Sequence, residues 1–111
     1  MKLLTIIKTS KYKKDLQKKI RNKHKKTEEE TIEKIENLMI QSENMMKLML
    51  NPLSRVYNIE KKKENLKQFY TARINQKLRM YIKPIGEYPY QLENIVEVEL
   101  VEIDEKHYGD G

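Results

Sequence analysis

The chain has 111 residues, 36% of them charged, with a formal net charge of +6 and no cysteine. That length fits a single domain over residues 1–111 with one modest two-layer core, and it leaves no disulfides and no thiolate metal ligands. The opening MKLLTIIKTS holds too short an apolar run for a signal peptide or a membrane span, so the chain reads as a soluble, cytoplasmic protein with no membrane partner.

In chain order, KLLTIIKT is β-branched and short, and predicts a strand over about 2–8. Thr9 or Ser10 then caps a helix on which Tyr12, Leu16, Ile20 and His24 form one i, i+4 stripe. His24, at the end of that stripe, reads as a structural imidazole near a helix C-terminus. Thr27-Glu28-Glu29-Glu30 has the pattern of a capping box. It leads into an apolar face of Ile32, Ile35, Leu38 and Met39. The stretch QSEN is a place for this second helix to bend, with Ser42 able to cap the next piece. MMKLML reads as core before it reads as a methionine-rich binding surface, and Pro52 stops the helix by pushing Asn51 out of the α region.

Charge comes in blocks. Residues 2–26 are basic with Asp15 as the one acid, 28–36 are acidic, 61–83 basic and 93–105 acidic. Basic blocks attract phosphate backbones or acidic protein surfaces, or simply coat solvated helix faces.

From residue 66 onward the apolar period changes from helical to alternating. LKQFYTARI and LRMYIKP flank NQK and predict a hairpin, and ENIVEVELVEI a third strand with Val96, Val98 and Leu100 inward and a parity slip at Leu100–Val101. The expected architecture is α+β: a strand and two N-terminal helices, the second bent, packed on a small, mainly antiparallel sheet that ends in a three-strand meander.

Strand parity sharpens the hairpin. Leu78, Met80 and Ile82 share one face, and Arg79, Tyr81 and Lys83 the other. A loop of Asn75, Gln76 and Lys77 sets Ile74 opposite Leu78 and Arg73 opposite Arg79. A loop one residue shorter would set Ala72 against Arg79 and break that agreement. Two opposed arginines repel. A phosphate or the acidic side chains of a partner relieves the repulsion, and guanidinium groups match phosphate in bidentate fashion. Tyr81, Phe69 and Tyr88 are candidate stacking surfaces for unpaired bases. The third strand carries its C-terminal end towards the arginines, where His107 can give or take a proton near neutrality and Tyr108 can stack or hydrogen-bond.

The element order, the basic hairpin and the late His-Tyr resemble the RelE/ParE superfamily of bacterial toxins, most closely the YoeB-type and HigB-type ribosome-dependent mRNA endonucleases. The residues that carry the resemblance are Glu60, KENLKQFYTARINQKLRMY over 63–81, and KHY over 106–108. In the YoeB-type pattern a glutamate precedes a lysine, an Asn-Leu, an aromatic pair, an Arg-Ile, an Arg-x-x-Tyr and a closing His-Tyr. Here these fall on Glu60, Lys63, Asn65-Leu66, Phe69-Tyr70, Arg73-Ile74, Arg79 with Tyr81 one residue early, and His107-Tyr108.

The resemblance implies a RelE-like fold and a type II toxin that cleaves mRNA in the ribosomal A site without cofactor or metal. It assigns Glu60 as general base, His107 as general acid, Arg79 as the clamp on the transition state and Tyr108 as a stacking or orienting group. Lys63, Arg73, Tyr81 and Lys83 would hold RNA. Asp104 resembles the aspartate of the HigB-type ending, and would orient His107 or replace Glu60 as base; Glu64 is a further competing carboxylate. The implied partners are the ribosome with its mRNA and a cognate acidic antitoxin. Two other classes remain open on the sequence: a ParE-like inhibitor of DNA gyrase, and an RNA- or ribosome-binding module without catalysis.

Overall fold

The computed structural model describes residues 3–63 and 66–105. Strand β1 (Thr5–Lys8) leads into helix α1 (Ser10–Asp15), which continues as a π-helical segment (Leu16–Arg21). Helices α2 (Lys26–Ile40), α3 (Met45–Leu50) and α4 (Leu53–Val56) follow. The edge strand β2 (Glu60–Lys61), β3 (Tyr70–Arg73), β4 (Leu78–Pro84) and β5 (Glu97–Glu105) complete the described chain, with a 3-10 turn at Leu92–Asn94. The sheet order is β1-β5-β4-β3-β2, antiparallel except where β1 runs parallel to β5. The expected α+β architecture with a closing β3-β4-β5 meander is therefore present, with the second helix broken in two and α4 added. No helix among the described residues is long and apolar enough to cross a membrane.

Apolar periodicity builds the core. Tyr12, Leu16 and Ile20 are buried, as are Ile32, Ile35, Leu38 and Met39 on α2 and Met45 and Leu48 on α3. They meet Tyr70, Ala72, Met80, Ile82, Val98, Leu100 and Ile103 from one face of the sheet. The parity slip on β5 is real: Tyr81 faces Glu102 but Ile82 faces Leu100, so Val101 is the extra residue of a bulge. The bulge lets Leu100 and Ile103 both point inward although three positions separate them.

Caps follow sequence chemistry in part. Thr9 caps α1, its hydroxyl accepting from Tyr12 N at 3.1 Å. The capping box does not form. α2 is capped by Lys25 without a side-chain bond, because i+5 bonding in the π segment carries through to Lys25 N on Ile20 O (3.0 Å) and starts the helix ahead of Thr27. The Thr31 hydroxyl donates instead to Thr27 O. His24 leaves the apolar stripe: it is exposed, in the left-handed region at φ 53°, and closes the turn by donating its N–H to Arg21 O. The cap of α3 is Asn44, which accepts from Lys47 N at 2.8 Å, while the Ser42 hydroxyl is buried and donates back to Leu38 O. β1 is shorter than expected, starting at Thr5.

Beyond Lys8, β1 no longer covers the edge of β5, and side chains from the first helix take over. Thr9 Oγ1 donates to Val101 O (2.7 Å), Asp15 Oδ2 accepts from Ile103 N (3.0 Å) and Lys19 Nζ donates to Ile103 O (2.7 Å). Asp15 is 6% exposed and sits between Lys11 (3.3 Å) and Lys19 (3.8 Å), each one turn away. A helix thus satisfies buried backbone groups that a longer strand would otherwise pair.

The hairpin turn is held by one residue. Asn75 Oδ1 accepts from Lys77 N (2.8 Å) and Leu78 N (2.7 Å), its Nδ2 donates to Glu28 Oε2 on α2 (3.1 Å), and its carbonyl accepts from Arg79 Nη1 (2.8 Å). That amide, and then the backbone at Glu28, holds the Glu28 carboxyl below the usual range.

Two stability predictions follow from these contacts. Asp15→Ala orphans the Ile103 N–H and lowers the urea midpoint by the equivalent of about 2–3 kcal/mol at unchanged m, whereas Asp15→Asn, which keeps an acceptor, loses less. Asn75→Ala removes three side-chain bonds and costs about 2 kcal/mol at neutral pH. Because the folded pKa of Glu28 is depressed, its contribution is present above the ordinary carboxylate range and lost as pH falls through the folded value. The gap between wild type and Asn75→Ala should therefore narrow in acid, as read by urea unfolding at both pH values.

Candidate nucleic-acid interface

The sheet face turned away from the helices is built in rows. Arg73 pairs with Arg79, and Arg79 on its other side with Asp104. One row along, Glu60 pairs with Thr71, Thr71 with Tyr81, and Tyr81 with Glu102. Lys83 then pairs with Glu99, and Lys62 N donates to Phe69 O (2.9 Å), continuing the β2–β3 ladder. Directly opposed residues place their Cβ atoms about 4.5–5.5 Å apart. Glu60, Arg73, Arg79, Tyr81 and Asp104 thus project from neighbouring positions on one surface.

The two arginines differ in kind. Arg73 is exposed, while Arg79 is 9% exposed with its Nη1 fixed on Asn75 O and on Leu78 O (3.2 Å). Burial depresses the Arg79 pKa and Arg73 adds to the effect, while Glu60 and Tyr81 oppose it. The guanidinium therefore feels both the like charge across the ladder and the carboxylate of β2. A buried, anchored arginine has lost its freedom before any ligand arrives, and a fixed cation of low solvation interacts more strongly with an anion than a solvated one does.

The remaining expected residues are distributed as follows. Glu60 is exposed at the sheet edge, and Lys63 is exposed just beyond it. Lys83 is half-buried. Tyr81 is only 5% exposed, so it lies beside Arg79 rather than offering an open stacking face; Phe69 is half-buried. Asp104 takes Lys19 Nζ at 3.5 Å, and its Oδ1 accepts from Glu105 N at 2.8 Å. His107 and Tyr108, together with Glu64, lie outside the described residues.

Thr71 and Lys62 are buried polar residues on this same face that the reading of the sequence did not single out. The alternation of YTAR signals Thr71, since it shares the parity of Arg73. For Lys62 there is no such signal, because a two-residue strand is too short to show a period.

No protein-family model matches the chain, and no curated protein matches its sequence. Solved structures do match its shape. A histidine-to-glutamine variant of YafQ from E. coli superposes with a TM-score of 0.64 over 93% of each chain, at 14% identity. YafQ from an E. coli strain gives 0.62 with the same coverage and identity. At that identity the likeness is one of fold, and the RelE-like α+β arrangement expected from the sequence is the fold that this chain shares with YafQ.

Proposed function

We propose that this chain is the toxin of a type II toxin–antitoxin pair, an endoribonuclease that cuts mRNA on the ribosome. The observation that carries the reading is the register that puts Glu60, Arg73 and Arg79 on one surface of a YafQ-like sheet. Positive charge there is partly fixed, and a carboxylate stands within its field. The sequence resemblance to ribosome-dependent mRNA endonucleases and the fold shared with YafQ both support this reading.

In this reading Arg73 and Arg79 hold the scissile phosphate, with Lys63 and Lys83 on the flanking backbone. Glu60 takes the proton of the 2′-hydroxyl as its oxygen attacks the phosphorus. Charge builds on the non-bridging oxygens and meets Arg79, whose anchor on Asn75 O spares it reorganisation. The bond from phosphorus to the 5′-oxygen breaks, His107 gives that oxygen its proton, and a 2′,3′-cyclic phosphate and a 5′-hydroxyl result. Tyr81 steadies Arg79, and Tyr108 orients the base or the imidazole. Asp104, opposite Arg79 on β5, orients His107 or serves as base in place of Glu60. An acidic antitoxin covers the basic face and silences it.

Induction in bacteria should stop growth and produce new mRNA 5′ ends within translated frames. Glu60→Gln and His107→Gln should each lower cleavage on translating ribosomes by about 10²–10⁴-fold. Asp104→Asn should do less, and the reverse order would move the base to β5. Growth arrest with intact mRNA and blocked gyrase supercoiling would overturn the nuclease reading in favour of a ParE-like inhibitor.

A further inference from the structure

The β2 edge has a second side. Glu60 and Lys61 are consecutive in the strand, so their side chains leave on opposite faces. Glu60 joins the arginine surface and Lys61 the side of Tyr70. There Lys61 Nζ stands 5.5 Å from the centre of the Tyr88 ring, and Lys67 Nζ stands 5.6 Å from the same ring. Both lysines are exposed and the ring is half-buried.

The ring is itself held. Tyr90 meets it edge-on, centres 5.3 Å apart and planes at 90°, and the Tyr90 hydroxyl donates to Gln68 O at 2.8 Å. The loop after β4 is thereby tied to the residues leading into β3. Among the described residues no carboxylate within 4 Å pairs with Lys61 or Lys67. Two ammonium groups thus share one aromatic ring, each attracted by it and each repelled by the other. Phosphates of a nucleic-acid strand would satisfy both lysines, and a ring face that a lysine releases is free to stack on a base.

We infer that Tyr88, Lys61 and Lys67 form a second contact for single-stranded RNA, across the β2 edge from Glu60. It rests on the reading of the chain as an RNA-cutting toxin, and extends it to a nucleotide flanking the one that is cut. A single strand crossing a two-residue edge strand can touch both faces. Unpaired RNA fits better than an acidic protein segment because it uses every part of the cluster: phosphate for the lysines and a flat base for the ring. Carboxylates would use the lysines alone.

The test is fluorescence anisotropy of the full chain with a labelled single-stranded RNA over a salt series. Lys61→Ala with Lys67→Ala should flatten the slope of log K against log salt by about 1.4, the share of two phosphate contacts on a single strand. Tyr88→Leu should weaken binding about 10-fold with the slope unchanged, and Tyr88→Phe should restore it. Circular dichroism melts of the same variants report whether the loop still folds. Wild-type slope and affinity in the folded lysine and Tyr88→Leu variants would overturn the inference, as would loss of binding to a polyglutamate peptide alone. Ribosomal cleavage is a separate readout. RNA binding that responds as stated in a chain that cuts no mRNA keeps this contact and rejects the nuclease, and cleavage with unresponsive binding does the reverse.

Discussion

The hydrogen bonds of Asn75 set the geometry on which the candidate site depends. Its side chain closes the turn between β3 and β4, fixing Arg73 opposite Arg79. A slip by one residue would carry every side chain of β4 to the other face, putting Met80 and Ile82 into water and Arg79 into the core. The hydrophobic pattern opposes that slip and the turn chemistry opposes it independently. The same residue reaches Glu28 on α2 and receives Arg79, so turn, helix layer and the buried arginine are coupled through one amide and one carbonyl.

The electrostatics follow from that coupling. Opposed like charges in a sheet cost up to about 1 kcal/mol when solvated, and burial of Arg79 sharpens the conflict. Glu60 on β2 relieves part of it, and Asp104 stands opposite Arg79 on β5. Asp104 is shared with Lys19, whose ammonium also caps Ile103 O. The helix that completes the β5 edge therefore also draws on the carboxylate next to the arginine pair. The charges that complete the β5 edge and those of the candidate site form one network here, and a change in the first helix should be felt at the site.

Much of this was legible because alternation is a strong signal once it runs for several residues. The hairpin register followed from matching the faces of YTARI and LRMYI, and the bulge at Val101 from the failure of that matching on β5. The Thr9 cap and the buried stripe of Tyr12, Leu16 and Ile20 were equally direct. What failed were features that depend on where a helix starts or ends. Thr27 lost its capping role because the π segment set the helix start upstream, and Ser42 lost its own to Asn44. His24 left the stripe because the first helix ends at Arg21 and the chain turns through the left-handed region at His24. β2 was invisible because two residues show no period. Asp15 was visible as the single acid in a basic block, but charge counting cannot say that it caps a strand. The distinction between its role and that of an ordinary surface carboxylate exists only in three dimensions, where β1 ends and β5 continues.

The contrast between Arg73 and Arg79 also bears on how such a surface can evolve. Arg79 is held by two backbone carbonyls and buried, so its replacement disturbs the hairpin whether or not RNA is bound. Arg73 is exposed, and its backbone N–H, rather than its guanidinium, ties β3 to Tyr57 O at 2.6 Å. Its side chain therefore contributes little to the fold beyond repulsion, and removing it should ease the electrostatic conflict at Arg79. Among the described residues no ion pair offsets the repulsion that Arg73 brings to Arg79, which fits the ligand contact proposed for it. Loss of Arg73 is therefore the cleaner probe of ligand contact, and loss of Arg79 mixes contact with folding.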